Sequence, residues 1–198
     1  MGKPNILAAT QYLLDASAYG NYDAFTMTNY LTDLPVNPAD PELLRQAMRL
    51  WATGVAVVTS QHEGVVHGMT VSSFTSVSLI PPQVLIAIAQ STRTHKLVKE
   101  SRSFGVTVLG ADQQDISDRF SGRLPEEEER LSGLEQFTLV SAVPLLKGGV
   151  AHFDCRVIAT FTSGTHTIFI GSVLAAQGTL EEEPLLYYNR NYRKFAPV

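Results

Sequence analysis

Residues 68–78, which read GMTVSSFTSVS, concentrate side chains that could bind a polar ligand. Six of the eleven positions carry a hydroxyl group: Thr70, Ser72, Ser73, Thr75, Ser76 and Ser78. Apolar sequence lies on both sides, and buried hydroxyls in such surroundings cost free energy unless they are hydrogen-bonded. They could satisfy the backbone of an edge strand and turn. Alternatively, hydroxyl and backbone groups could bind phosphate and the rim of a heterocycle, with Gly68 allowing close approach.

The motifs of several other kinds of site are missing. The sequence has no G-x-G-x-x-G after a strand, no P-loop and no G-x-S-x-G. Cys155 lies in the middle of a predicted strand, so we interpret it as a small buried residue and not as a nucleophile. No metal-ligand spacing links the five histidines, which are His62, His67, His95, His152 and His166. A Rossmann domain, a triad hydrolase and a zinc enzyme are therefore all disfavoured.

Composition narrows the class of protein further. The chain has 198 residues, of which 44% are hydrophobic, and this is typical of a globular domain. A net charge of −4 argues against a nucleic-acid partner. The single cysteine cannot form an internal disulfide, which suits a reducing cytoplasm. No apolar stretch is long enough to span a bilayer, and no secretory signal is visible.

The elements that must position the hydroxyl-rich run are mostly strands. Periodicity and turn residues predict strands over 55–60, 65–70, 84–89, 104–109, 150–162 and 167–176, the last two forming a hairpin through SGTH. The continuous apolar run 84–89 predicts a strand buried on both faces. Pro81 and Pro82 are expected to break any regular element before it. Hairpins rather than βαβ units indicate a mainly β, largely antiparallel barrel with helices capping its ends.

Three helices are predicted around this barrel. The first runs from about Pro41 to Thr53, because Asp40 is a favoured N-cap and Gly54 a plausible stop. Its apolar stripe predicts packing in the core. The others cover 95–101 and 111–120. Residues 1–40 are expected to form an extension that wraps over its own domain or a partner subunit, and residues 41–198 form one domain.

The ordered segments together resemble the flavin reductase-like family, whose members have a split β-barrel. The resemblance covers roughly residues 42–195. It rests on LLRQAMRLWATGVAVVTS, GMTVSSFTSVSLIPPQVLIAIAQSTRTHKLV, FGVTVL, DRFSG, HTIFIGSV and YYNRNYR. It implies FMN or FAD as flavin, NADH or NADPH as hydride donor, a homodimer, and reduced flavin supplied to a partner monooxygenase.

The resemblance also implies roles for individual positions. Thr70, Val71, Ser72 and Ser73 match the segment that holds the isoalloxazine edge and ribityl chain, and Ser76 lies beside it. Ser91, Thr92 and Thr94 match the segment that takes the flavin phosphate at a helix start, where free N–H groups favour anions. His166 matches the histidine at the nicotinamide side, although the preceding residue, often acidic in the family, is Thr165. Tyr192 and Arg193 match the C-terminal motif near the cofactor.

The implied reaction is hydride transfer from nicotinamide to flavin, so both reacting atoms belong to cofactors and no protein nucleophile is needed. Turn, N-cap and surface roles stay open for the serines, the threonines, His166, Tyr192 and Arg193. Two other functions stay open as well. The protein could bind flavin without reductase turnover, or it could use tightly bound flavin to reduce a substrate of its own.

Overall fold

The computed structural model describes residues 40–122 and 129–196, and the predicted N-terminal extension lies outside this range except for Asp40. The chain divides into two compact units, Met1–Arg45 and Gln46–Val198, and the second contains all the strands of the described residues. These strands are β1 (Thr53–Gly54), β2 (Ala56–His62), β3 (Val65–Val71), β4 (Thr75–Leu79), β5 (Pro82–Ala89), β6 (Ser103–Val108), β7 (Gln136–Phe137), β8 (Leu145–Leu146), β9 (Ala151–Ser163), β10 (His166–Gly178), β11 (Leu186–Tyr188) and β12 (Asn191–Arg193).

Seven of these strands form one antiparallel sheet in the order β3-β2-β6-β9-β10-β5-β4. Its edge strands, β3 and β4, are joined by only three residues, 72–74. In a flat sheet these edges would stand about 29 Å apart, whereas the connection reaches about 14 Å at most. The sheet must therefore curl until its edges approach. The result is an antiparallel barrel, as predicted. Its split lies between β3 and β4.

The barrel interior is filled by alternate residues of its strands. Val58, Ile86, Phe104 and Phe169 are almost fully buried there, and full burial of such a side chain stabilises the fold by about 1.5–3 kcal/mol. Gly171 faces the Phe104 ring, and a Cβ at this position would lie 2.6 Å from it. Cys155 is completely buried among these residues, which confirms that it packs as a small apolar residue.

The strand that contains the apolar run 84–89 is not buried on both faces, so that prediction was wrong. Its residues alternate between buried and half-buried along β5. Val84, Ile86 and Ile88 face the core, and the residues between them face outward. Continuous apolarity therefore does not indicate two packed faces here. It leaves an apolar outer face on the barrel.

Pro81 and Pro82 interrupt the chain less than expected. Residues 75–79 form β4, and Pro82 begins β5, so the two strands make a tight antiparallel pair around the prolines. Proline is compatible with the first residue of a strand. Part of the hydroxyl-rich run is therefore an edge strand, which is one of the two interpretations left open by the sequence.

The first helix is shorter than predicted, and its apolar stripe is not in the core. Helix α1 (Pro41–Met48) contains no buried residue. Leu43, Met48 and Trp51 are 60%, 55% and 67% exposed. The amphipathic period identified the helix correctly, but a period does not reveal what its apolar face contacts.

Two other helices lie in the described residues: α2 (Arg93–Ser101) and α3 (Gln114–Phe120). Helix α2 begins two residues earlier than predicted because Thr92, and not Thr94, caps it. None of the helices described by the structure is long and apolar enough to cross a membrane. The same residues contain no His, Cys, Asp or Glu cluster that could hold a metal ion.

Candidate active site

A cleft lies beside the connection that joins the two edges of the split barrel. Its volume is about 460 Å³, and residues 51–56, residues 72–75 and Val108 line it. Residues 72–75 contribute Ser72, Ser73 and Phe74 of the hydroxyl-rich run. Trp51 and Phe74 supply aromatic surface, so this cleft offers both apolar rings and polar backbone to a ligand.

Hydrogen bonds fix the position of this connection. Ser73 Oγ donates to the carbonyl of Ala87 at 2.8 Å and accepts from the Ala87 N–H at 3.2 Å. At the other end, Thr70 Oγ1 donates to the Ser117 carbonyl at 2.7 Å. The hydroxyls of Thr70 and Ser73 therefore hold protein groups in place. Ser72 and Ser76 are exposed, and their hydroxyls can reach a ligand.

The neighbouring residues contribute in other ways. Val71 is buried in the core, so only its backbone could contact a ligand. Gly68 does not serve close approach by a ligand, as one interpretation had it. A Cβ at Gly68 would lie 2.9 Å from the Phe120 ring and 3.2 Å from Thr59 Cγ2. Gly68 thus makes room for a core phenylalanine.

The second predicted group lies on the turn between β5 and α2. Thr92 is the N-cap of α2, and its hydroxyl accepts from His95 N at 3.2 Å and donates to Ala89 O at 2.9 Å. Thr94 is fully buried, with its hydroxyl 2.8 Å from His67 Nδ1. Both threonine hydroxyls are therefore engaged within the protein. Exposed Ser91, exposed Arg93 and the first free N–H groups of the helix remain available to an anion.

His166 lies at the same end of the barrel as this turn. It is the first residue of β10 and pairs with Ala89, the last residue of β5. The turn is tied to it, because Gln90 N donates to Thr165 O at 3.0 Å and Gln90 Nε2 donates to His166 O at 3.2 Å. The Thr165 hydroxyl lies 3.0 Å from His166 Nδ1. Thr165 thus contacts the His166 ring. In the family that the sequence resembles, the residue at the position of Thr165 is often acidic.

Strand β5 brings these parts together. Ser73 is bonded to Ala87, and His166 pairs with Ala89, two residues further along. Two residues of an antiparallel strand span about 6.8 Å, and the phosphate-type turn begins immediately afterwards. The connection 72–75, the turn 90–94 and His166 therefore converge on one end of one strand.

The predicted C-terminal pair lies apart from this convergence. The Tyr192 hydroxyl lies within hydrogen-bond distance of Ser117 Oγ, at 2.9 Å, and of Asp118 Oδ1, at 3.0 Å. Its ring packs edge-on against Tyr187. Ser117 is also the residue that accepts the hydrogen bond from Thr70. Tyr192 therefore anchors the C-terminal hairpin beneath β3, and Arg193 is exposed.

A second cleft, of about 480 Å³, adjoins the turn, and sequence reasoning missed it. Residues 64–67, Arg93, residues 129–134 and Gln136 line it. Burial, with the guanidinium groups of Arg130 and Arg93, lowers the pKa of His67 to about 4. We call it the basic cleft. Arg93 belongs to the segment 91–95, which the family resemblance already assigned to phosphate binding, and this was the available signal for a basic site. Nothing in the sequence connects residues 129–136 to that segment.

The comparisons with known proteins identify the family of the chain. Residues 48–196 match the family model described as flavin reductase like domain. The chain belongs to the flavin reductase-like family. It is 40% identical over 157 residues to the NADH-dependent flavin reductase StyB of Pseudomonas fluorescens, covering 77% of this chain and 89% of that one.

Two further relatives broaden the comparison. One is the reductase component of a 4-nitrophenol 4-monooxygenase/4-nitrocatechol 2-monooxygenase from Rhodococcus opacus, 33% identical over 168 residues, covering 82% of this chain and 85% of the relative. The other is the solved structure of the Streptomyces globisporus NADH:FAD oxidoreductase SgcE6. It shares 34% identity and a TM-score of 0.75, over 82% of this chain and 99% of that one.

The residues present fit a flavin. The first cleft combines the rings of Trp51 and Phe74 with exposed hydroxyls and polar backbone, which suits a flat heterocycle with a polar rim. The turn 90–94 offers a helix start and a guanidinium group to a phosphate. The arrangement can bind and orient cofactors that carry the chemistry themselves.

Proposed function

We propose that this protein is an NADH-dependent flavin reductase that supplies reduced flavin to a partner flavin-dependent monooxygenase. The observation that carries the proposal is the convergence of the connection 72–75, the turn 90–94 and His166 at the end of β5. The relatives support the choice of donor, acceptor and partner enzyme. Their names specify NADH as donor, FAD or flavin as acceptor, and in one case a monooxygenase that the reductase serves.

The chain's own part in the reaction is binding and orientation. Bound flavin would accept the hydride that the nicotinamide of NADH carries. Backbone groups of residues 70–73, with the hydroxyls of Ser72 and Ser76, hold the rim and ribityl chain of the flavin. Ser91, the Arg93 guanidinium and the N-terminus of α2 hold its phosphate. Thr92 and Thr94 act indirectly, by shaping this turn.

His166 has a separate role on the nicotinamide side. It is exposed beside the turn 90–94 and is held by the Thr165 hydroxyl and by the backbone pairing of β10 with β5. From there its ring orients the incoming nicotinamide by a hydrogen bond. No acid–base step is assigned to it, because hydride transfer requires no proton from this position. Correct placement of two rings alone accounts for a large part of such a rate.

A homodimer forms part of the proposal, and the outer face of the barrel supports it. Outward residues of β5, β9 and β10 lie in register there: Ile168 pairs with Ala87 and Phe161, and Ile170 pairs with Leu85. Phe161 is 52% exposed. An exposed sheet face of apolar side chains marks an interaction surface. It borders the end of β5, so a second copy seated on it would cover the flavin site.

The dimer is tested by sedimentation of Phe161→Glu beside Leu180→Glu, since Leu180 is fully exposed outside this face. We expect Phe161→Glu to sediment as a monomer with weakened flavin binding, and Leu180→Glu to behave as the unchanged protein. If the unchanged protein is a monomer that binds flavin tightly at low concentration, the dimer proposal is wrong.

The activity is tested by NADH and NADPH oxidation with added riboflavin, FMN or FAD. We expect turnover with NADH that rises and saturates with added flavin, because the exposed Ser72 and Ser76 leave the flavin site open to exchange. Turnover that does not respond to added flavin would indicate a tightly bound cofactor and a different acceptor.

The one cysteine, Cys155, is buried as a free thiol, which agrees with action in a reducing cytoplasm.

A further inference from the structure

His166 stands at a projecting end of the barrel, outside the core. Residues 160–166, which end β9, form the turn and begin β10, are all exposed. The turn contains Gly164 at a φ of +55°, and glycine has the least restricted backbone of any residue. A hairpin end of this kind frays unless neighbouring groups hold it. A role in orienting nicotinamide therefore requires other residues to fix the position of His166.

Three contacts join the start of β10 to the turn before α2 and to α2 itself. Gln90 N donates to Thr165 O at 3.0 Å, and Gln90 Nε2 donates to His166 O at 3.2 Å. At the next residue of the strand, Thr167 Oγ1 lies 2.9 Å from His95 Nε2. Three consecutive residues at the start of the strand are thus each bonded to the turn or to the helix that follows it.

The contact through Thr167 belongs to the core. Thr167 and His95 are both buried, and the His95 ring packs against the buried ring of Phe169 at a centroid distance of 5.3 Å. Burial lowers the pKa of His95 below its ordinary value, so the ring brings no charge into the core at neutral pH. This contact fixes the strand at the residue after His166, and it supports the fold as well as the site.

The contact through the Gln90 side chain has a different character. Gln90 is exposed, so its side chain contributes little to the core. The backbone N–H of Gln90 already bonds to Thr165 O and keeps the turn in register without the side chain. The carboxamide, however, donates to the carbonyl of His166 itself. This bond is therefore dispensable for the fold but is aimed at His166.

We propose that Gln90 is a positioning residue, whose carboxamide holds the backbone of His166 and, through it, the imidazole that orients the nicotinamide. The inference rests on the proposed function, in which His166 lies on the nicotinamide side. Gln90 contacts neither cofactor. It belongs to the turn proposed to hold the flavin phosphate, so this one residue sets the position of His166 relative to the flavin. Such placement matters, because a displacement of about 1 Å can cost about a hundredfold in rate.

The direct test is Gln90→Met, because methionine has the length of glutamine but no hydrogen-bond donor. We expect kcat/KM for NADH to fall about two- to tenfold, the effect of one lost neutral hydrogen bond, while flavin affinity stays within about twofold. Gln83→Met is the matched control, since Gln83 lies at the other end of β5, paired with Ser172, and it should behave as the unchanged protein. Equal losses in both variants, or a loss of flavin affinity as large as the loss in kcat/KM, overturns the proposal.

A double-mutant cycle separates positioning from direct contact with the nicotinamide. If Gln90 acts through His166, Gln90→Met should have no further effect on kcat/KM for NADH in a protein that already carries His166→Ala. An effect of Gln90→Met that is equally large with and without the imidazole would mean that Gln90 contacts the substrate or acts elsewhere. Either result is incompatible with a positioning role.

The position of His166 can also be measured without either cofactor. Its ring-nitrogen resonances in the flavin-free protein are assigned by their loss in His166→Ala. In Gln90→Met we expect these resonances to shift and broaden, because a loosened strand end samples several positions on the microsecond to millisecond timescale. Gln83→Met should leave them unchanged. Identical His166 resonances in Gln90→Met and the unchanged protein overturn the proposal.

The two proposals can fail separately. If NADH is oxidised equally fast by Gln90→Met and the unchanged protein, the proposed function stands and the positioning role of Gln90 is wrong. If Gln90→Met displaces the His166 resonances in a protein that does not oxidise NADH, the link between Gln90 and His166 stands and the reductase function is wrong.

Discussion

At the scale of single residues, the hydroxyl-rich run shows how one pattern can serve two purposes. Ser73 and Thr70 bond to the protein itself, whereas Ser72 and Ser76 face outward. The interpretation that the hydroxyls satisfy backbone groups therefore holds for Ser73 and Thr70, and ligand binding stays a prediction for Ser72 and Ser76. Residue type alone could not divide them, because the partners Ala87 and Ser117 are 14 and 47 residues away.

Gly68 allows a test of packing in this run. Gly68→Ala would place a Cβ 2.9 Å from the Phe120 ring, and overpacking of this kind destabilises a core by about 1–3 kcal/mol. We expect a lower urea midpoint for Gly68→Ala and little change for Gly54→Ala, whose added Cβ would have nothing within 4 Å. Combining Gly68→Ala with Phe120→Leu should cost less than the two changes summed. Strict additivity would mean that Phe120 is not the obstacle.

His166 carries the prediction that separates binding from chemistry. His166→Ala should lower kcat/KM for NADH several-fold, since a neutral hydrogen bond is worth about 0.5–1.5 kcal/mol, and misplacement of the ring could raise the effect to about a hundredfold. His166→Asn keeps a donor and an acceptor, so it should be mild.

Flavin affinity is the control for His166 and should stay nearly unchanged in both variants. Fluorescence quenching measures that affinity, and stopped flow measures the rate of hydride transfer. Loss of flavin binding in His166→Ala, with a normal rate for the flavin that remains bound, would assign His166 to the flavin site instead.

At the scale of elements, the predicted strands were close to the observed ones because alternation and turn residues are local signals. The hairpin of β9 with β10 and the hairpin of β2 with β3 both lie where the sequence predicted them. The outer face of β5 and the exposed face of α1 were not predicted. Each depends on which neighbour covers a surface, and no local period contains that information.

The turn before α2 shows the same limit and leads to a revised prediction. The resemblance implied that Thr92 binds phosphate, but its hydroxyl caps the helix and bonds to Ala89 O. Thr92→Ala should therefore lower the free energy of unfolding by about 0.5–2 kcal/mol, the usual cost of a lost N-cap. Thr92→Ser, which keeps the cap, should be nearly neutral.

Riboflavin distinguishes this capping role from direct phosphate binding by Thr92. If the threonine only shapes the turn, any loss of FMN affinity in Thr92→Ala should disappear in the Thr92→Ser variant and be accompanied by lower stability. Selective loss of FMN over riboflavin at unchanged unfolding free energy would instead restore Thr92 as a direct phosphate ligand.

At the scale of the whole molecule, the barrel and the active site depend on one topological fact. Three residues join the opposite edges of a seven-stranded sheet, so closure of the barrel places them beside β5. The sequence shows the short connection but not the strand order that makes it span an opening. The resemblance to the family predicted a split barrel but not that order. The basic cleft stayed unpredicted because its two walls are about sixty residues apart in the chain.

Stability of the whole molecule should fall in mild acid because several of its histidines are buried. Burial lowers the pKa of His67, His95 and His152 below the ordinary value of 6.5, and for His67 to about 4. At His67, between about pH 6.5 and pH 4, the unfolded chain binds a proton that the folded chain does not. The stabilisation is therefore complete above about pH 6.5 and is lost as the pH falls toward 4.

His67 alone should account for about 2 kcal/mol of this loss between pH 6.5 and pH 5, since each unit corresponds to about 1.36 kcal/mol. Urea unfolding from pH 7.5 to 5 measures the slope above the range where most carboxylates titrate. We expect His67→Gln to flatten that slope, whatever its effect on stability at pH 7.5. A slope that is the same in His67→Gln and the unchanged protein would mean that His67 is already protonated, or accessible to solvent, in the folded state.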